Sequence, residues 1–266
     1  MMKMLHKAAL SAALTLGLSA TALADGIAEL RKAAGQGDAK AQYHLGDCYA
    51  YGKDGLDTDY TQAVIWYKKA AEQNHAEAQF TLGLCHAHSL GVATDEKEAV
   101  AWYRKAAEQG HRTAQNNLGL CLQHGLGVEK DETEAAVCFR KAAEQDVMLS
   151  QHSLGVCLLF GYGVKTNAAE AVVWFQKSAA QGYANAKAML GECYFKGAGV
   201  EQDYTQAVAY FREAAERGVA RALSNLGECY YEGKGVEQDK AKAIECWTKA
   251  SAQGHVNASV LLMMKK

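Results

Sequence analysis

Apolar residues in this sequence recur in blocks that indicate pairs of amphipathic helices. When the chain is aligned on itself at a shift of 36 residues, with one extra residue in the first copy, six Leu-Gly pairs superimpose. Around each pair, apolar residues follow one another at spacings of three and four, the period of a helix with one buried face. The aligned pairs are Leu45-Gly46, Leu82-Gly83, Leu118-Gly119, Leu154-Gly155, Leu190-Gly191 and Leu226-Gly227.

Each Leu-Gly pair is followed by a glycine turn and then by the signals of a second helix. The turn reads Gly-x-Gly-Val at residues 125–128, for example, and an Asp or Asn follows three residues later. Such side chains accept hydrogen bonds from the free amides of a helix start. Where Glu98, Glu134 or Glu170 comes three residues after the cap, the pattern also predicts a capping box. The second helices are predicted to end at left-handed residues, namely Asn74, Gly110, Asp146, Gly182, Gly218 and Gly254.

These units predict an α-solenoid, because one helix pair cannot bury its apolar face without a neighbour. We predict an all-α, right-handed superhelix of about six helix-turn-helix repeats over residues 38–254. Partial capping helices are expected at residues 26–37 and 256–266, so residues 25–266 form a single repeat array. In related helical-repeat families, one set of helices lines the inner surface of the superhelix.

The N-terminal segment has the order of a secretory signal. Lys3 and Lys7 precede an apolar stretch over residues 8–20, and the small-residue triplet Ala22-Leu23-Ala24 follows. We predict a signal peptide over residues 1–24 and a periplasmic or secreted protein. The alternative is an uncleaved anchor, but the apolar stretch is shorter than the ~20 residues that span a bilayer. No integral membrane segment is expected after cleavage.

Composition supports helices and excludes one class of partner. The chain has no proline, 25 glycines and a formal net charge of −2. Glycine is the expected helix breaker here, and acidic and basic residues are mixed as on solvated helix faces. Because no basic cluster is present, nucleic acid is not an expected partner.

Taken together, the motifs resemble the Sel-1-like repeat, a relative of the tetratricopeptide repeat. The resemblance rests on Ala-Gln-x-x-Leu-Gly, the Gly-x-Gly-Val turn, the Asp cap and Ala-x-x-Trp-Tyr, and it covers nearly all of residues 25–266. It implies a scaffold or adaptor that binds other proteins. The chain is also similar to the secreted Helicobacter cysteine-rich proteins, which implies weak β-lactam binding or β-lactamase-like activity as the alternative. That branch pairs cysteines in every repeat, whereas here one cysteine recurs in all six.

Eight cysteines fit either two bridges or a set of buried core residues. Six of them share one aligned first-helix position, and Cys138 and Cys246 stand where other copies carry Trp or Tyr. Only the third and sixth repeats hold both positions, so we predict the disulfides Cys121–Cys138 and Cys229–Cys246 in an oxidising compartment. Each bridge closes a loop of ~17 residues, worth roughly 3 kcal/mol. We expect the four remaining cysteines to be buried, inert thiols: Cys48, Cys85, Cys157 and Cys193.

Helical geometry also predicts a partner-binding groove on the first helices. The Leu and Cys of each first helix share the core face, so the residues at other aligned positions are expected to face the inner surface. Strongly curved stacking of the first helices, or a dimer contact, is the alternative. The predicted peptide-binding residues are Phe80, Leu84, Asn116, Leu120, His152, Val156, Leu159, Glu192, Phe195, Glu228 and Tyr231. We expect a peptide that is apolar at its centre and basic toward Glu192 and Glu228.

The sequence gives no catalytic residue, cofactor site or metal site. No serine is followed by lysine at the Ser-x-x-Lys spacing of serine β-lactamases, and the zincin and phosphate-loop motifs are missing. His86 and His88 lie two residues apart, so one helix cannot direct both at the same ion. We therefore expect a non-enzymatic scaffold, and an assay with a chromogenic β-lactam would distinguish it from the alternative.

Overall fold

The computed structural model describes residues 20–265, and these contain fourteen α-helices and no strand. The all-α repeat solenoid predicted from the sequence is confirmed. Residues 1–19, with most of the predicted signal peptide, lie outside the described residues. Among residues 20–265, no helix combines the length and apolar character that crossing a bilayer requires. The helices are α1 (Ala20–Gly35), α2 (Ala39–Tyr51), α3 (Tyr60–Glu72), α4 (Ala76–His88), α5 (Glu96–Glu108), α6 (Arg112–His124), α7 (Glu132–Glu144), α8 (Met148–Phe160), α9 (Ala168–Ala180), α10 (Ala184–Lys196), α11 (Tyr204–Glu216), α12 (Ala220–Glu232), α13 (Lys240–Ala252) and α14 (Val256–Lys265).

The described chain forms two compact units. The first ends at Lys130 and contains α1 to α6, and the second begins at Asp131 and contains α7 to α14. Within each unit, every helix packs on the next helix along the chain. The helix that begins each repeat (α2, α4, α6, α8, α10 and α12) is called a first helix below, and its successor a second helix.

In five repeats, the glycine of the Leu-Gly pair lets the two helices of the repeat approach closely. A methyl group added at Gly46 would lie 2.6 Å from the ring of Tyr67, and one at Gly191 would lie 2.5 Å from the ring of Phe211. Both rings belong to the second helix of the same repeat and are almost completely buried. The ring therefore occupies the space that a side chain would need. The other described contacts of this kind are Gly83 with Tyr103, Gly155 with Phe175 and Gly227 with Trp247.

From the second repeat onward, the last glycine of the turn joins successive repeats. Gly127 has a φ of +67°, and a Cβ there would lie 2.2 Å from the carbonyl oxygen of Glu96, the first residue of the preceding second helix. Only glycine combines this left-handed conformation with so close an approach. The same contact recurs at Gly91 with Tyr60, Gly163 with Glu132, Gly199 with Ala168 and Gly235 with Tyr204.

Buried glutamines also link one repeat to the next. Gln79 is 2% exposed, and its Nε2 donates to the carbonyl oxygen of Ala71 at 3.1 Å. Its Oε1 accepts a hydrogen bond from Nε2 of Gln109 at 2.7 Å. The buried side chain is thus paired at both ends, which offsets the cost of removing an amide from water. The Gln of the Ala-Gln-x-x-Leu-Gly motif therefore connects its first helix to the second helix of the preceding repeat. It recurs at Gln42, Gln115 and Gln151, whereas the fifth and sixth repeats carry Lys187 and Leu223 at this position.

The predicted helix caps are confirmed, but the capping box predicted at Glu170 is absent. Asp131 Oδ1 accepts from the amide of Glu134 at 2.8 Å, and Asn167 Oδ1 accepts from the amide of Glu170 at 3.1 Å. The amide of Asn167, however, donates to the carbonyl oxygen of Leu158 at 2.8 Å. Glu170 instead accepts from Arg140 Nη1 at 2.8 Å. The end of the first helix thus occupies the cap amide that a capping box would use.

The second helices end as predicted, at residues in the left-handed region. Four of these residues are glycines, and the other two are Asn74 (φ +65°) and Asp146 (φ +59°). A neighbouring glutamine supports each non-glycine residue: Gln79 Nε2 donates to Asn74 Oδ1 at 3.2 Å, and Gln151 Nε2 donates to Asp146 Oδ1 at 3.3 Å. Asn and Asp tolerate this conformation better than other non-glycine residues. The repeat junction is therefore preserved where glycine is missing.

Histidines cap three of the helices that follow these junctions. Nδ1 of His75 accepts from the amide of Ala78 at 3.2 Å, and Nδ1 of His111 accepts from the amide of Ala114 at 3.1 Å. His255 makes the same contact. In each cap the backbone amide supplies the hydrogen, and Nδ1 of the imidazole is the acceptor.

A further histidine, His152, packs inside the second unit. Its ring lies 5.1 Å from that of Tyr183 and 5.7 Å from that of Phe175, measured between centroids. Its Nδ1 is buried without a hydrogen-bond partner. Burial lowers the pKa of His152 to about 4, and the positive charge of Arg221 contributes. Burial likewise lowers the pKa of the cap residue His75.

The cysteines lie in or beside the cores of the repeats. Burial raises the pKa of the Cys85, Cys157 and Cys193 thiols to about 11 and that of Cys48 to about 12. Cys48 also donates to Asp54 Oδ2 at 3.3 Å. Thiols with such pKa values are protonated at neutral pH, and all four are buried, as expected.

The structure does not contain the predicted bridge in the sixth repeat. Cys229 and Cys246 are separate thiols, although Cys246 packs against the core cluster that contains Cys229. In the third repeat, Cys121 lies in the first unit and Cys138 in the second, and each is described only within its unit. The two disulfides stay predictions.

Replacing the glycine of a Leu-Gly pair should show that packing outweighs helix propensity in its effect on the free energy of unfolding. We predict that Gly46→Ala lowers the free energy of unfolding by about 1–2 kcal/mol, because overpacking outweighs the propensity gained. Gly35→Ala is the matched control, since a methyl group at Gly35 meets nothing within 4 Å. Urea unfolding followed by circular dichroism measures both. Equal stability of the two variants would contradict this account of the glycine.

Stability should decrease as the pH falls from 6.5 toward 4. In this window the unfolded chain binds protons at the positions of His152 and His75 that the folded chain does not, so protonation favours unfolding. For His152 the loss is about 1 kcal/mol at pH 5.5. His152→Asn, which introduces the residue found at aligned position Asn116, should reduce the pH dependence of the urea midpoint. An unchanged pH dependence in the variant would contradict the role of His152.

Candidate partner-binding surface

In the first unit, the predicted groove residues are buried to different degrees. Phe80, Leu84 and Leu120 are half-buried, whereas Asn116 is only 3% exposed. The Phe80 ring stacks on that of the cap residue His111 at 4.5 Å. The prediction that Asn116 lines an open groove is therefore wrong, because this position lies in the packing between helices.

In the second unit, most predicted groove residues keep part of their surface exposed. Val156 and Leu159 on α8 are half-buried, as are Phe195 on α10 and Glu228 and Tyr231 on α12. These five residues are called the first-helix surface of the second unit. His152 is also half-buried, but its ring is engaged with Tyr183 and Phe175. It serves mainly to pack two repeats together.

Glu192 does not have the role that the sequence suggested. It is 7% exposed, and its Oε2 accepts from Nη2 of Arg221 at 2.6 Å. Nδ2 of Asn225 also donates to Glu192 Oε1, at 3.3 Å. A buried carboxylate needs a partner of opposite charge, and here the next repeat supplies it. Glu192 is therefore not available to bind the basic end of a peptide.

Arg221 was missed by the sequence analysis for a geometric reason. It is the second residue of α12 and lies seven residues before Glu228, the residue aligned with Glu192. Only the relative placement of two successive first helices brings it to Glu192, and the repeat alignment does not contain that information. The ion pair shows that α10 and α12 lie side by side, in agreement with their direct contact.

The acid at the same aligned position in the first repeat is also engaged within the fold. Tyr67 donates its hydroxyl to Asp47 Oδ1 at 2.8 Å. Burial raises the pKa of Asp47, although this hydrogen bond opposes the shift. Asp47 and Glu192 thus both act in packing, and Glu228 is the remaining acid of the row.

Aromatic residues of the first-helix surface are fixed by contacts within their own repeats. The Phe195 ring lies 5.2 Å from that of Tyr204 at an interplanar angle of 69°. The Tyr231 ring lies 5.5 Å from that of Trp247. Such anchored, partly exposed aromatic side chains suit a binding surface, because little side-chain entropy remains to be lost on association.

Comparison with known proteins agrees with the repeat architecture. The family model described as Sel1 repeat matches residues 39–75, 76–111, 113–147, 149–183, 184–219 and 220–255. Comparison with curated proteins gave no match.

Two solved structures are similar over most of the chain. The first is c5321, a protective antigen present in uropathogenic Escherichia coli strains displaying an SLR fold, with 38% identity and a TM-score of 0.77. The match covers 90% of this chain and 51% of that one, so this chain spans about half the length of c5321. The second is a Sel1 repeat protein from Oxalobacter formigenes, with 33% identity, a TM-score of 0.73 and coverage of 82% and 89%.

The cysteine-rich branch is a more distant match. Helicobacter pylori cysteine rich protein B is 25% identical over 50% of this chain and 96% of its own, with a TM-score of 0.40. A likeness at this level carries no argument about β-lactam chemistry. The six matched repeats, by contrast, cover nearly all of residues 39–255, and the chain belongs to the Sel1 repeat family.

Proposed function

We propose that this protein is an exported, non-enzymatic scaffold that binds a protein or peptide partner through its first helices. These helices form the inner face in solenoids of this kind. The observation that carries the proposal is the first-helix surface of the second unit, where Val156, Leu159, Phe195 and Tyr231 keep part of their surface exposed.

The composition of this surface indicates the kind of partner. Aligned apolar and aromatic side chains that are partly exposed to water favour a segment with apolar side chains of its own. Glu228 adds a negative charge beside them. We therefore propose an extended or helical peptide with an apolar centre that contacts Val156 and Leu159 and a basic residue toward α12.

Chemistry within the repeats also supports binding rather than catalysis. A nucleophilic cysteine needs a depressed pKa, whereas burial raises the pKa of Cys229 to about 12 and also raises that of Cys121. The family to which the chain belongs acts mainly in protein interactions.

The binding face can be tested with substitutions that introduce residues found at the aligned positions of other repeats. Val156→Glu and Leu159→Gln introduce the residues of aligned positions Glu228 and Gln123, so the fold should tolerate both. We predict that the double variant lowers capture of the partner from cell-envelope extract at least tenfold. Quantitative mass spectrometry of the captured proteins measures the loss, because a charge and an amide replace the apolar contact.

A control pair lies on second helices of the same unit. Val137 and Val173 are each 48% exposed, and glutamate stands at the aligned position Glu245. Val137→Glu with Val173→Glu should leave capture unchanged, and both double variants should show wild-type circular dichroism. Equal capture by the two folded double variants would contradict the proposed face.

The disulfides depend on the proposed export. If the chain reaches an oxidising compartment, we predict a Cys229–Cys246 bridge, since both thiols border one core cluster, and a Cys121–Cys138 bridge. Non-reducing peptide mapping of protein purified from the periplasm measures these pairs. Cys246→Trp, which introduces the residue common at the aligned position, is the control that removes one pair only. Eight unmodified thiols in the exported protein would contradict the prediction.

A further inference from the structure

The ammonium group of Lys234 lies over two aromatic rings in the second unit. Its Nζ is 5.2 Å from the centroid of Phe195 and 5.5 Å from that of Tyr204. The two rings stand at 69° to each other, with centroids 5.2 Å apart. Rings that surround one cation in this way form two walls of an aromatic cage, the arrangement that recognises ammonium groups.

A carboxylate completes the surroundings of this cation. Lys234 Nζ donates to Glu232 Oε2 at 2.7 Å, and this hydrogen bond raises the pKa of Lys234. The negative charge of Glu228 acts in the same direction. The Lys234 side chain is nevertheless 38% exposed, so water, and therefore a ligand, can reach the cage from outside.

Three elements of the fifth and sixth repeats hold the cage in place. Phe195 lies in the last turn of α10, Tyr204 begins α11, and Lys234 lies in the turn after α12. The adjacent Gly235 is pressed against the carbonyl of Tyr204, where a Cβ would come within 2.1 Å. The repeat-joining contact thus fixes the backbone beside Lys234, and only the lysine side chain would have to move for the cage to open.

The cage is not required by the repeat architecture. At the position of Lys234, the second to fifth repeats carry residues without a cation, whereas the longer turn of the first repeat carries Lys53. Phe195 and Tyr204 likewise align with non-aromatic residues in the second, third and fourth repeats. The three sets are Leu90, Leu126, Tyr162 and Ala198 for Lys234; Ala87, Gln123 and Leu159 for Phe195; and Glu96, Glu132 and Ala168 for Tyr204. Stacking of repeats proceeds without these residues, so packing does not explain their combination.

We propose that Phe195, Tyr204, Glu228 and Glu232 form a binding site for a lysine side chain of the partner, and that Lys234 occupies this site in the free protein. The inference rests on the proposed scaffold function and specifies the chemistry of the basic residue. An incoming ammonium group reproduces the ring and carboxylate contacts that Lys234 gives up. At the cage, the partner's lysine therefore gains nearly the same free energy of interaction that Lys234 loses. Contacts elsewhere on the first-helix surface then favour the bound state.

Removal of the Lys234 side chain should allow a small cation to bind in the cage. Lys234→Ala introduces the residue of aligned position Ala198, and the probe is tetramethylammonium, followed by NMR chemical shifts of the aromatic side chains. We predict that the variant binds this cation at least tenfold more tightly than the wild-type protein, because the internal competitor is removed. Neopentyl alcohol, a neutral molecule of similar shape, should not bind to either protein.

A second variant identifies the walls of the site. Phe195→Ala combined with Lys234→Ala, where alanine is the residue at aligned position Ala87, should lose the gained affinity while keeping wild-type circular dichroism. Equal binding of tetramethylammonium by the single and double variants, or equal binding of the neutral molecule, would overturn the proposal. This test uses no partner, so its failure rejects the cage and leaves the capture experiment on Val156 and Leu159 to decide the scaffold function.

Discussion

The close contact between the Leu-Gly glycine and an aromatic ring of the second helix is the constraint on which each repeat depends. At Gly46, Gly155 and Gly227, a Tyr, Phe or Trp ring packs directly on the backbone of the first helix. The ring is thereby buried without a cavity, and the distance between the two helices is set. Because protein interiors are packed at crystal-like density, one methyl group added at this point would disturb the packing of both helices.

Other features of the repeat follow from that spacing. Once the helices are fixed, the turn places a left-handed glycine such as Gly127 on the carbonyl of the preceding second helix. Buried glutamines such as Gln79 connect the first helix to the second helix of the preceding repeat and to the end of its own second helix. These elements could be predicted from the sequence, because the aligned glycines, caps and helix ends all recur with the period of the repeat. The capping box predicted at Glu170 is absent, because the cap amide bonds to Leu158 on another helix.

The candidate surface was only partly predictable. Helical periodicity correctly separated core positions such as Leu154 from half-buried ones such as Val156 and Leu159. It could not show that Arg221 neutralises Glu192, because that contact depends on the placement of one first helix beside the next. Side chains that neutralise one another across repeats leave no periodic signal, and the same holds for Lys234 over its two rings.

In the proposed complex, the first-helix surface of the second unit contacts the partner. A photo-reactive benzoylphenylalanine placed at position 159 tests this directly, with the same residue at position 173 on the second helix α9 as the reference. We predict that irradiation of the bound complex yields a covalent adduct with the partner from position 159 and none from position 173. An adduct from position 173 without one from position 159 would contradict the claim.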